Sequence, residues 1–265
     1  MNKYFSVFKT GFKQEKDAIF DMFMRCIIYF IITYIFIQLW GYIYGEGGTN
    51  QIINGYSLNQ MIWYLILSEC IANSTKCAQI SRSMTNEIKT GSIAYKLNKP
   101  YNYYLYSISA FMSKSCFTIL FTVPTALIMG GIFVGIPASF TCAQILPCFV
   151  AFMFAIFLSW CIYGVVGLIA FWVQDSTAFY WIVSKSFMLL GMFFPVEFFP
   201  TWLQPIIRYS PIYSIMSGPA SLVANFSWGL FARVLISQTI WTAIVIAIGL
   251  LVFKLGKRRV TNNGG

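Results

Sequence analysis

Met22-Phe23-Met24-Arg25-Cys26-Ile27-Ile28-Tyr29-Phe30-Ile31-Ile32-Thr33-Tyr34-Ile35-Phe36-Ile37-Gln38-Leu39-Trp40-Gly41-Tyr42-Ile43-Tyr44 carries one charge, Arg25, in an otherwise apolar and aromatic run. Roughly 20 such residues in helical form cross a bilayer. Lipid offers no partner to a backbone N–H or C=O, so a chain there must pair those groups internally, and a helix does so. This stretch therefore reads as a transmembrane helix.

Five further stretches read the same way: about Leu58–Cys77, Tyr106–Val134, Ile145–Val173, Ala178–Phe194 and Leu230–Phe253. The rest of the composition agrees. Charged residues make up 10% of the chain, against about 25% in a soluble domain, and mean hydropathy is +0.70. The expected fold is an all-α membrane protein with six transmembrane helices.

Orientation follows from Lys and Arg, which collect on the cytoplasmic side. Lys3, Lys9, Lys13 and Lys16 precede the first span. Arg82, Lys89, Lys96 and Lys99 lie between the second and third. Lys254, Lys257, Arg258 and Arg259 follow the sixth. The connections 45–57 and 135–144 carry no basic residue, and the long 195–229 connection carries Arg208 alone. Both termini are expected in the cytoplasm. The net charge of +10 then belongs to orientation and to contact with anionic lipid rather than to nucleic acid. Met1–Asp21 is charged and interrupted, without the apolar run of a cleavable signal peptide, so the first span is expected to serve as the targeting signal.

Three segments outside the spans have patterns of their own. In 1–21, Phe5, Phe8, Phe12 and Ile19 recur at helical spacing among lysines, which predicts an interfacial amphipathic helix. In 80–91, Ile80, Met84 and Ile88 form a four-residue stripe. Gly91 can end that helix in the left-handed conformation, and Pro100 sets the approach to span three. Such a helix must bury its stripe on lipid or a partner. In 195–229 an apolar sequence is cut by Pro195, Pro200, Pro205, Pro211 and Pro219 into pieces too short to span. That predicts broken, re-entrant outer helices whose irregular backbone is shielded by protein.

Catalytic chemistry finds little foothold. The chain has no histidine, which removes His-based metal sites and Ser-His-Asp triads. It has no phosphate-binding loop, since Gly249 through Gly256-Lys257 has the wrong spacing and Arg258 where Ser or Thr is needed. Seven cysteines stand mostly in apolar runs as small buried hydrophobes, and a pairing of Cys142 with Cys148 is left open. Glu69, near the middle of span two, is the charge that calls for a role, on a polar path or paired with a lysine of a neighbouring helix. Lys76, Lys114 and Lys185 read as snorkelling cations. Gly164, Gly167 and Gly130-Gly131 permit close helix approach.

The order of these features resembles the permease subunit of ABC-2 type exporters, in a compact bacterial form. The inner loop Asn86-Glu87-Ile88-Lys89-Thr90-Gly91-Ser92-Ile93-Ala94-Tyr95-Lys96-Leu97-Asn98-Lys99-Pro100 is similar to that family's acidic residue, Gly, Leu and Pro before span three. Phe199-Pro200-Thr201-Trp202-Leu203 with Pro211 is similar to its proline-rich outer stretch. The likeness covers the whole chain, as a single transmembrane domain, 1–265.

The resemblance implies a multi-pass protein of the bacterial plasma membrane. It implies a pore of two permease chains, identical or related, on two separate ABC ATPase subunits that bind ATP and Mg. The 80–91 helix would be the coupling helix, with Arg82, Met84, Glu87, Ile88 and Gly91 at the ATPase. Pro195, Phe199, Pro200 and Trp202 would form the outer gate and Glu69 part of the translocation path. The chain itself would bind no cofactor and hydrolyse nothing, and the cargo would be an amphipathic or hydrophobic drug, peptide or lipid. The rival reading is a secondary transporter or another polytopic protein without an ATPase. A secondary transporter should show internal repeats and central ionisable groups; no repeat is evident.

Overall fold

The structure is a computed structural model that describes residues 9–12, 19–45, 51–75, 77–135 and 141–263, with side chains as far as Arg259. In chain order its elements begin with α1 (Ile19–Tyr44), a hairpin of β1 (Ile52–Ile53) and β2 (Tyr56–Ser57), α2 (Leu58–Ser74), α3 (Cys77–Lys89) and α4 (Ile93–Leu97). Next come α5 (Tyr103–Phe133), α6 (Cys142–Leu168), α7 (Ala170–Val173), α8 (Thr177–Phe187) and a π-helical turn, Met188–Met192. A 3-10 turn (Val196–Phe198), α9 (Gln204–Arg208), a second π turn (Tyr213–Ser217), α10 (Gly218–Ala224) and α11 (Trp228–Asn263) complete the chain.

Among the described residues four helices are long and apolar enough to cross a membrane: α1, α5, α6 continued through Val173, and α11 to Arg259. The second and fifth expected spans are shorter than the sequence suggests. α2 has 17 residues, a rise of about 25 Å. It stops at Ser74, and the chain resumes helical form at Cys77 as α3. The break has a local cause: the Thr75 carbonyl accepts from Ser115 Oγ at 3.0 Å and from Trp160 Nε1 at 3.2 Å. Two side chains of α5 and α6 thus take the place of a helical N–H. In the fifth stretch α8 passes into the π turn Met188–Met192 and ends there.

The all-α expectation holds, with one short hairpin beside the helices. Asn54 and Gly55 both adopt positive φ, 49° and 86°, and join β1 to β2 with Ile53 opposite Tyr56. Asn-Gly between apolar residues is the sequence signal of a tight hairpin turn. Ser57 then caps α2 in a reciprocal pair: its Oγ accepts from Gln60 N at 3.4 Å, and Gln60 Oε1 accepts from Ser57 N at 2.9 Å.

The helices alternate in direction, so the bundle has a hairpin end and a basic end. α3, α4 and the C-terminal turns of α11, with Arg82, Lys89, Lys96, Lys99, Lys254 and Lys257, occupy the basic end. The 1–21 segment lies mostly outside the described residues, as does Lys76. Its helical turn at 9–12 sets Phe12 edge-on against Phe117, ring centroids 5.6 Å apart.

After the 3-10 turn and α9 the chain doubles back beside α11. Trp241 Nε1 donates to Tyr209 O at 3.1 Å, Ser237 meets Ser214 at 2.6 Å, and Phe226 packs on Trp228. Tyr209 is thus level with a residue about 20 Å into α11, and 211–224 climbs back toward the hairpin end. Ser214–Ala220 are buried between α2, α6 and α11.

Candidate functional site

The apolar face of α3 is where the structure corrects the sequence most. The stripe was expected to rest on lipid or a partner. Instead Ile80 and Met84 are buried, Ile88 is half-buried, and the face lies on the chain's own α6. Gly167 makes this possible: a Cβ there would stand 2.9 Å from Met84 Cβ and 3.1 Å from its sulfur. Met84 therefore does not reach the outer surface of α3. Gly164 admits the Tyr104 ring in the same way, and Gly130 that of Trp63.

Polar contacts fasten α3 at two further points. Thr85 Oγ1 lies 2.5 Å and Ser81 Oγ 3.5 Å from Ser176 Oγ, which is fully buried in the turn that starts α8. Lys89 stands 3.6 Å from Asp175 beside it. The Thr177 side chain and backbone N–H, and after them Lys89, hold the Asp175 carboxyl below its ordinary range. Glu87 was expected at an ATPase, yet both its oxygens are engaged within the chain. Oε1 accepts from Lys96 at 2.7 Å and Ser83 at 3.3 Å, and Oε2 from Tyr103 at 2.8 Å. What α3 leaves exposed is Arg82, Asn86, Lys89 and Thr90, closed off by Gly91 at φ 72°.

Beside α3 a cleft of about 270 Å³ runs between α1, α2, α6 and α8. Toward the basic end its walls are Arg25, Asn73, Gln79 and Tyr180. Its inner reach is Phe187, Met188, Met192 and Met216, so both π turns form its end wall. A polar mouth with a methionine-lined end suits an amphipathic guest, because unbranched thioethers adapt to irregular apolar shapes.

The prolines of the outer segment explain the polar residues around it. The first π turn ends at Met192, ahead of Pro195, so its last carbonyls have no helical donor. Tyr64 Oη donates to Gly191 O at 2.6 Å and to Phe194 O at 3.1 Å, and Ser68 Oγ to Met192 O at 2.8 Å. In the second π turn Gly218 N–H reaches back to Tyr213 O. The next donor in that register would be Pro219, which has none, and Gln238 Nε2 supplies Ser214 O at 2.9 Å while also bonding Ala151 O at 2.9 Å. Tyr64 and Ser68 thus pair carbonyls left open where the helix ends before Pro195, and Gln238 pairs the one that Pro219 cannot serve. Pattern reading missed Tyr64, Ser68 and Gln238; their only signal was a polar group in a span near a proline-rich segment.

Of the expected gate residues, Pro195 is buried, Phe199 half-buried and Trp202 exposed. The 3-10 turn is clasped by Trp40 of α1, 6.0 Å from Phe194 and 5.4 Å from Phe198 by ring centroid. Glu197, which the sequence did not single out, accepts from Arg208 at 3.0 Å and from Tyr56 Oη at 3.4 Å; Tyr56 Oη also lies 3.2 Å from Ser221 Oγ. Burial, and then the Glu197 carboxylate, push the Tyr56 phenol up, so it remains a neutral donor. This joins the hairpin, the 3-10 turn and α10.

Glu69 is buried, its carboxylate bound by the Thr33 hydroxyl of α1 and its backbone carbonyl by Asn73 Nδ2 at 3.0 Å. It lines neither the cleft nor an apolar groove of about 500 Å³ between α2, α5, α6 and α10. Lys114 and Lys185 lie over the rings of Phe111 and Trp181. Cys142 and Cys148 are free thiols. Six residues apart on α6, they are separated by about 9 Å of helical rise, beyond disulfide reach.

A helical bundle with four helices of spanning length and apolarity among its described residues defines a multi-pass membrane protein. The chain belongs to the ABC-2 family transporter proteins, whose description matches residues 27–264. Members are transmembrane components that associate with ABC ATPases and are not themselves catalytic. No curated protein gives a match.

Proposed function

We propose that the chain is the permease subunit of an ATP-driven exporter in the bacterial plasma membrane. It crosses six times with both termini in the cytoplasm, α2 and 177–192 serving as the second and fifth spans. It pairs with a second permease chain, identical or related, above two ABC ATPase subunits that bind ATP and Mg. The cargo is amphipathic or hydrophobic, a drug, peptide or lipid, and the cleft ending at Met188, Met192 and Met216 is its path. The observation that carries this reading is the double character of α3. One face is fastened to α6 and to the α8 turn, and the other offers Arg82 and Asn86 outward, with Lys89 exposed at the edge beside Asp175.

A push on α3 would pass through Ser176 into α8, along it to the π turn, and from there to the segment clasped by Trp40 and Tyr56. The outer gate then lies at the far end of that line, in the 196–224 segment. The six-span count is supported by the alternation of basic and non-basic connections.

Purification of the full chain in mild detergent from its own host tests the proposal. A stoichiometric ABC ATPase is expected to co-purify, and Arg82→Glu with Lys89→Glu is expected to reduce it strongly at equal membrane insertion. Recovery of the chain without any ATPase would overturn the reading in favour of a transporter that needs none.

A further inference from the structure

Neither the docking face of α3 nor the cleft uses the basic end of α11. Lys254, Lys257 and Arg258 recur at three- and four-residue spacing, which puts them on one face of the helix, and all three are exposed. With Asn102, Leu250 and Phe253 they line a second cleft of about 440 Å³. It lies where α11 passes the start of α5, whose N-cap Asn102 accepts from Tyr104 N and Leu105 N. The floor is apolar and the rim cationic. The change from one to the other falls at the end of the apolar run of α11, where a spanning helix leaves hydrocarbon for headgroups.

We propose that this cleft binds one anionic phospholipid, its phosphate among Lys254, Lys257 and Arg258 and its first acyl carbons on Leu250 and Phe253. A basic cluster at a helix end attracts anionic headgroups. A soluble anion would use the rim and leave the floor idle; a lipid uses both. The site also touches the scaffold of α3. The Phe253 ring lies 6.2 Å from that of Tyr103, whose hydroxyl holds Glu87, so a lipid seated here braces the wall that positions α3. The assignment rests on the cleft alone and stands whether or not an ATPase docks at α3.

Native mass spectrometry of the full chain tests it, with phosphatidylglycerol and phosphatidylcholine of identical acyl chains titrated into the purified protein. Selective retention of phosphatidylglycerol is expected. Lys254→Gln with Lys257→Gln is expected to lower that retention about 25-fold, from about fivefold per basic side chain at an anionic surface. Removing those charges also bears on orientation, so Asn102→Asp is the second variant. It keeps a helix-capping oxygen, leaves α11 intact, sets a carboxylate in the cleft, and is expected to cost about fivefold. Arg259→Gln, outside the lining, is expected to change nothing. Equal retention of the two lipids, or retention untouched by both cleft variants, would overturn the proposal. So would inorganic phosphate alone raising the thermal midpoint as far as phosphatidylglycerol does, which would assign the rim to a soluble anion.

Discussion

The Tyr64 hydroxyl donates at 2.6 Å to the carbonyl of Gly191, one of the last carbonyls of the helix that ends before Pro195. Tyr64 is fully buried on α2, so this bond ties the second expected span to the end of the fifth. Tyr64→Phe keeps the ring and removes the donor. Ser217 Oγ, at 3.4 Å, is the other partner of that carbonyl. The expected loss is about 0.5–1.5 kcal/mol, the net worth of a hydrogen bond whose acceptor keeps a second donor, read as a lower thermal midpoint in detergent with unchanged insertion.

Gln238 plays the same part for Ser214, and here the cause can be removed. Gln238→Leu is expected to destabilise by about 1–3 kcal/mol. Pro219→Ala restores an N–H that can reach Ser214 O. In that background the Gln238→Leu penalty should shrink, and thermal midpoints of the four proteins in a double-mutant cycle measure the difference. Equal penalties in both backgrounds would show that proline is not the reason for the glutamine.

Gly167 is the seat of Met84. Gly167→Ala inserts a Cβ 2.9 Å from Met84 Cβ, with the Ser81 backbone 3.4 Å away, so α3 must shift. Overpacking of this kind costs about 1–3 kcal/mol. The expected signature is a larger loss of transport than of protein level, because the displaced element is the proposed docking helix.

Glu87 separates two effects. Glu87→Gln loses the ion pair to Lys96 but keeps an acceptor for Tyr103. For this half-exposed pair the expected change is about 0–1 kcal/mol, with ATPase association retained. Glu87→Arg sets a cation against Lys96 and removes the acceptor from Tyr103, and co-purification of the ATPase should fall at equal insertion.

Glu69 lies outside the cleft, and Glu69→Gln leaves an amide oxygen for the Thr33 hydroxyl, so protein level and transport are both expected to hold. That outcome makes Glu69 a packing residue only; a fall in transport at equal protein level would show that the carboxylate serves the path. Measuring efflux and membrane abundance together distinguishes the two.

The sequence by itself determined that this chain is a helical membrane protein, and it located the four long apolar helices, the helix after α2 and the proline-broken segment before α11. Those features are written in local quantities: the length of an apolar run, the spacing of Ile80, Met84 and Ile88, the side on which lysines fall. Asn54-Gly55 was equally local and readable as a hairpin. Other facts depend on what faces what, and only the tertiary structure decided them. The stripe of α3 rests on α6 because Gly167, far along the chain, leaves room for Met84. Glu87 turns inward because Lys96 and Tyr103 meet it. Tyr64, Ser68 and Gln238 look like stray polar residues until the carbonyls at the helix end before Pro195 and the one facing Pro219 come within hydrogen-bond distance. A proline announces in sequence that a backbone bond is lost; which side chain replaces it is set by packing, since in lipid no water can.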